Sequence, residues 1–239
     1  MKLDILAMAA HPDDVELACA ATLHKYVMAG KKAGIVDFTR GELGTRGTPE
    51  IREQEAQASA EILGLSAREN LGFRDGFFKN DEAHQLKVIR AIRKYRPEIL
   101  LANATADRHP DHGRASVLTK ESVFLAGLKN IETEEQGVKQ APWRPKAVYY
   151  YIQSIPQTPN FIVAVPEEAW QVKMKAVRAF KSQFFDPNSD EPDTYISSPK
   201  FMEMIESRGI HYGHEIGAQY GEGFTVERTI GVKDLFELS

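Results

Sequence analysis

The chain has 239 residues, 42% of them apolar and 27% charged, with a net charge of −4, a composition that suits one ordinary globular core. That charge balance argues against nonspecific nucleic-acid binding, and the single cysteine, Cys19, cannot build a disulfide framework. No apolar run approaches the ~20 residues that cross a bilayer as a helix, and the start Met1-Lys2-Leu3-Asp4-Ile5 lacks a signal-peptide pattern, so membrane insertion is not expected and the expected compartment is reducing cytosol.

In chain order, residues 3–9 form a short apolar run that reads as a strand, and residues 14–29 sustain helical turns up to Gly30. A second strand over 33–38 leads into a loop with Gly41, Gly44 and Gly47. Thr48 then caps, and Pro49 starts, a helix that runs to about residue 63, where Gly64 stops it. A weak strand around Asn70, a helix over 81–95 with Leu86, Ile89 and Ile92 inward, and an apolar strand over 99–102 repeat the alternation. Apolar runs follow at 148–152 and 161–165, then a helix opened by Pro166 and another after Pro199. No tract of biased composition divides residues 1–239, so one α/β domain is expected: a Rossmann-like fold with a mostly parallel sheet flanked by helices.

Open sheets of this kind bind ligands beyond the carboxyl ends of their strands. After the first strand comes Ala10-His11-Pro12-Asp13-Asp14, and after the strand ending near Ala102 comes Asp107-Arg108-His109-Pro110-Asp111-His112. An aspartate pair after a strand is also what a plain helix N-cap looks like. Two His-Pro-Asp segments at the ligand edge of one sheet favour a metal site instead. His11 and Asp14 are close enough to reach one ion from a tight turn, with His112 approaching from a neighbouring strand end. Zinc accepts imidazole and carboxylate together and in catalytic sites keeps a position for water. Asp13, His109 and Asp111 then lie beside the ion as acid and base groups.

At these residues the sequence resembles the LmbE-like, or N-acetylglucosaminyl-phosphatidylinositol de-N-acetylase-like, family of zinc deacetylases. The resemblance also rests on Thr39-Arg40-Gly41-Glu42-Leu43-Gly44. The closing Gly217-Ala218-Gln219-Tyr220-Gly221-Glu222-Gly223-Phe224 is similar to the bacillithiol-biosynthesis deacetylase branch. It implies one Zn²⁺ per chain on His11, Asp14 and His112, Asp13 as general base, His109 stabilising the developing oxyanion, and Asp111 orienting and charging His109. It also implies substrate contacts from Arg52, Asp75 and Tyr195, an N-acetylglucosamine conjugate such as N-acetylglucosaminyl-malate as substrate, and a homo-oligomer, with a hexamer as the suggested form. The chain departs from many relatives at Ala18-Cys19-Ala20-Ala21, where they start the helix with glycines. A malate-bearing substrate would need a cation, for which Arg40, Arg46, Arg52 and Arg108 are candidates. His211 and His214 fit either a segment closing over the site or an exposed helix end.

Competing readings are a nucleotide-binding oxidoreductase, a noncatalytic metal-dependent carbohydrate-binding protein, and a deacetylase of another N-acetyl sugar such as a chitooligosaccharide. The first turn has no G-x-G-x-x-G, and its two aspartates would repel a pyrophosphate, which argues against the oxidoreductase.

Overall fold

A computed structural model describes residues 1–185 and 190–237. Its central sheet has seven strands: β1 (Ile5–Ala9), β2 (Ala33–Thr39), β3 (Ala67–Phe73), β4 (Ile99–Ala102), β7 (Ala147–Tyr151), β8 (Phe161–Val165) and β9 (Tyr220–Thr225). They lie in the order β3-β2-β1-β4-β7-β9-β8. A separate two-residue hairpin pairs β5 (Glu134–Glu135) with β6 (Val138–Lys139). Strands β3, β2, β1, β4 and β7 run parallel, whereas β9 is antiparallel to both β7 and β8.

The alternation of side chains along β1 explains why it is apolar throughout. Leu6, Met8 and Ala10 enter one core with Val36, Ile89 and Leu118, while Ile5, Ala7 and Ala9 enter another with Val15, Leu23 and Ile35. Both faces are therefore covered, as parallel strands require. Helices α4 (Glu82–Tyr95) and α5 (Pro110–Ala126) pack together over the first core, and α6 (Glu167–Arg178) packs on α2 (Ala20–Met28) and α3 (Pro49–Leu63) on the other side.

The helix expected over 14–29 is two helices, α1 (Asp14–Ala18) and α2, broken at Cys19 (φ −142°). The break frees backbone N–H groups at the start of α2, and the Glu222 carboxylate accepts from Ala21 N (3.2 Å) and Thr22 N (2.7 Å). Lys173 Nζ, 2.6 Å away, neutralises that carboxylate in a pair buried from solvent. Glu222 lies on β9, a Gly-rich segment without the apolar run that marks β1, β2, β4, β7 and β8. A Cβ at Gly221 would sit 2.6 Å from the Ile162 side chain and 2.9 Å from the backbone of Tyr212, on α7 (Pro199–Glu215), so glycine permits that approach. Helix α5 is the other element that the apolar pattern does not reveal, because its buried face includes Ala115, Ser116, Thr119 and Ser122.

The chain winds outward from β1 through β2 to β3 and then returns to place β4 on the other side of β1. Such a switch opens a crevice between the carboxyl ends of the two central strands. The loop 10–13 carries the first His-Pro-Asp segment, and the second begins at His109, at the end of loop 103–109, and continues into the first turn of α5.

Candidate active site

His11, Asp13, Asp14, Arg52, Asp75, Arg108, His109 and His112 line one cavity of about 220 Å³ at that crevice. The ring centroids of His11 and His112 are 5.5 Å apart, and those of His11 and His109 are 4.6 Å apart. Ligand atoms of His11, His109 and His112 lie within 4.8 Å of one another. Asp14 completes the cluster, with Oδ1 3.1 Å from His112 Nε2 and Oδ2 3.7 Å from His11 Nδ1.

Each candidate ligand imidazole is held at its far nitrogen by a carboxylate. His112 Nδ1 lies 2.6 Å from Asp107 Oδ2, which turns Nε2 toward Asp14. His11 Nε2 lies 3.1 Å from Asp75 Oδ1 and 3.4 Å from Asp111 Oδ2, which leaves Nδ1 on the Asp14 side. Carboxylate-backed histidine is the usual support of a metal ligand, since it fixes the tautomer and raises basicity. Burial alone would lower the His11 pKa, yet bonds to Asp111, Asp14 and Asp75 hold it well above 6.5. Burial also opposes the charged form of His112, but the charge of Asp14 and bonds to Asp107 and Asp14 raise its pKa to about 9. The protein thus concentrates negative charge where a cation would sit, and the donor set of imidazoles and carboxylate suits zinc.

Asp13 is not the plain helix cap that an aspartate after a strand suggests. It precedes α1 at φ 118°, in the left-handed region, and its side chain makes no capping bond. Such a conformation costs about 1–3 kcal/mol for a residue with a Cβ and is found where function demands it. The carboxylate receives Arg52 Nη2 at 3.3 Å instead. Burial, opposed by Arg52 and reinforced by Asp14, pushes its pKa up to about 7.

Three residues given roles by the family resemblance make the following contacts. Asp111 N donates to His109 Nδ1 at 3.2 Å, while the Asp111 carboxylate faces His11, Gly76 N (2.8 Å) and Arg114. Burial, together with the charges of His11 and His112, lowers the His109 pKa against the opposing charge of Asp111. Arg52 lines the cavity, and its guanidinium donates to Gly41 O (3.1 Å), Pro12 O (2.6 Å) and Asp13 Oδ2 (3.3 Å). Gly41 (φ +65°) makes this possible, since a Cβ there would lie 1.7 Å from Arg52 Nη1. Asp75 likewise spends its carboxylate on His11 and on Leu43 N (3.0 Å).

Tyr195 sits at the rim, 47% exposed, with the Arg108 guanidinium 4.4 Å from its ring centre. Of the candidate arginines, Arg52 and Arg108 line this cavity, whereas Arg40 lines a separate one. His211 pairs with Glu215 (3.2 Å) on the exposed end of α7 and lines a different cleft. Asp107 is the functional residue that sequence reasoning quoted but gave no role. Its signal was the five-residue spacing to His112, which lets a loop carboxylate reach back to the helix start.

Residues 6–123 match the PIG-L family, described as GlcNAc-PI de-N-acetylase, and the chain belongs to that family. It is 29% identical over 230 residues to the diacetylchitobiose deacetylase of Thermococcus kodakarensis, covering 92% of this chain and 81% of that protein. The crystal structure of a conserved protein from Thermus thermophilus superimposes with a TM-score of 0.84 at 36% identity, covering 97% of this chain and 98% of that one. The N,N′-diacetylchitobiose deacetylase of Pyrococcus horikoshii superimposes with a TM-score of 0.75 at 25% identity, covering 92% and 82% respectively. Among the described residues no helix is long and apolar enough to cross a membrane.

Proposed function

We propose that the chain is a zinc-dependent N-deacetylase that releases acetate from an N-acetylglucosamine conjugate, with N-acetylglucosaminyl-malate as the substrate. The observation that carries this reading is the convergence of His11, Asp14 and His112 beside an Asp13 that is strained, buried and not used as a cap. Family membership and the deacetylases among the similar proteins support it.

His11, Asp14 and His112 would hold the ion, which when bound would polarise the acetyl carbonyl and acidify a water. Asp13 lies in the same cavity and is the base that accepts the proton of the attacking water. Burial raises the proton affinity of this carboxyl, which suits it to accept a proton and to return it to the departing amine. Arg52 keeps the carboxylate turned into the cavity. His109 acts as a neutral donor: its Nδ1 accepts from Asp111 N, so the ring proton of the neutral form is on Nε2. That N–H donates to the acetyl oxygen as negative charge develops there. The water oxygen adds to the acetyl carbon first, and the C–N bond then breaks as Asp13 returns the proton to the nitrogen, giving acetate and a free amino sugar.

Arg108 at the cavity wall supplies the cation that a malate carboxylate requires, and Tyr195 supports the guanidinium from its other side. The names of the Thermococcus and Pyrococcus proteins favour a second reading, a chitooligosaccharide substrate. Acetate release from N-acetylglucosaminyl-malate, free N-acetylglucosamine and diacetylchitobiose, each with and without chelator, separates the two. Preference for the malate conjugate supports the first reading, preference for diacetylchitobiose supports the second, and no release from any of them refutes both.

A further inference from the structure

We propose that Asn103 and Gln153 are positioning residues that clamp Asp14 so that it offers a metal ion one oxygen, Oδ1, in a fixed direction. The inference rests on the metal reading above and adds residues that the two histidine motifs do not contain.

Asp14 is 2% exposed, and its carboxylate is surrounded by donors. Oδ2 accepts from His11 N at 3.0 Å and from Asn103 Nδ2 at 3.0 Å. Oδ1 accepts from Gln153 Nε2 at 2.6 Å and faces His112 Nε2 at 3.1 Å. A carboxylate has about four lone-pair sites. These N–H groups take both sites on Oδ2 and one on Oδ1, so the remaining site is on the side of His112. Chelation by both oxygens would require breaking buried hydrogen bonds to a charged group.

The clamp is itself held from both ends of the crevice. Asn103 follows β4 directly, and its Oδ1 accepts from Ala10 N at 2.9 Å, which fixes its amide with Nδ2 toward Asp14. Asn103 Nδ2 also reaches Gln153 Oε1 at 3.4 Å, which sets the Gln153 amide with Nε2 toward Asp14. Gln153, just beyond β7, is anchored at its backbone carbonyl by Arg208, whose other terminal nitrogen donates to Leu17 O at 2.8 Å. The ends of β1, β4 and β7 and helix α7 thereby all bear on one carboxylate. This connection gives the C-terminal part of the chain a physical role at the site.

The test measures metal affinity and coordination in the full chain and does not use acetate release. Zn²⁺ dissociation constants are determined by chelator competition, and Co²⁺ is substituted to record its visible absorption, for wild type, Gln153→Met and Asn103→Ala. Each variant is expected to bind Zn²⁺ about 10- to 100-fold more weakly, the range seen when outer hydrogen-bond partners of a metal ligand are lost. A changed Co²⁺ spectrum is expected as well, because Asp14 can then rotate. If Asn103→Ala fails to fold once the Ala10 amide loses its acceptor, Gln153→Met decides alone, since it leaves that bond intact. Less than about a tenfold loss of affinity in folded Gln153→Met, or an unaltered Co²⁺ spectrum, overturns the clamp. A chain that shows the expected losses yet hydrolyses no acetyl sugar refutes the proposed substrate and leaves the clamp standing, whereas a wild type that binds no Zn²⁺ refutes both.

Discussion

The Oδ1 atom of Asp14 lies 3.1 Å from Nε2 of His112, joining the start of the helix after the first strand to the helix after the fourth. The two groups have opposite needs without a cation: the imidazole holds a proton to about pH 9 because the carboxylate is there. An ion held by both groups would replace that proton.

Metal binding should therefore release protons. His11 and His112 both have raised pKa values, so the ligand forms become available as pH rises, and affinity for Zn²⁺ should strengthen from pH 6 toward pH 9. Calorimetry in buffers of different ionisation enthalpy measures the proton count. Zero protons released at pH 7 would contradict the assignment of these imidazoles as ligands.

The histidines should divide cleanly by role. His112→Ala should lose metal, whereas His109→Ala should keep it and lose about 10²–10³ in kcat, the usual cost of one oxyanion donor. Metal analysis of both purified variants, paired with turnover, checks the division, and full metal content in His112→Ala would refute it.

Asp13 and Arg52 are coupled, with consequences for both rate and pH. Asp13→Asn should bind metal and lose about 10²–10⁴ in kcat, the contribution of a positioned base. In the wild type the base works deprotonated, so kcat/KM should fall as pH drops through its pKa. That pKa is about 7 in the metal-free chain and lower once a cation sits beside it. Arg52 lowers the Asp13 pKa, so Arg52→Gln should raise it and shift this acid limb to higher pH. A limb that stays in place would remove Arg52 as the group holding Asp13.

The Lys173–Glu222 pair makes a prediction about stability away from the site. Both side chains are almost fully buried, and Glu222 also accepts from the two N–H groups at the start of α2. Lys173→Met should destabilise the fold by about 3–5 kcal/mol by leaving the carboxylate unpaired. Urea denaturation measures this, and a change under about 1 kcal/mol would mean that Glu222 is satisfied without its partner.

Much of the fold was legible because the strands and most helices announce themselves by apolar runs and by caps such as Thr48, Pro49 and Gly64, all of which act where expected. Helix α5 and strand β9 escaped because small, polar or glycine residues separate their few large buried apolar ones, Leu118 and Val123 on α5 and Tyr220 and Phe224 on β9, so no apolar run marks them. At the site, spacing brought His11, Asp14 and His112 into view. It could not reveal that Asp75 and Asp111 share one imidazole nitrogen, or that Arg52 reaches back to Asp13, because those contacts depend on how loops from different strands fold over one another. Asn103 and Gln153 were invisible for the same reason: an amide in a sequence carries no sign of which carboxylate it holds.

The most direct test of the central claim is metal stoichiometry joined to turnover on one preparation. Chelator-treated protein should release no acetate from N-acetylglucosaminyl-malate, and titration with Zn²⁺ should restore activity in proportion to occupancy, saturating at one ion per chain. Full activity in the metal-free chain, or restoration of activity by Zn²⁺ in the Asp14→Ala variant to the wild-type level, would contradict it.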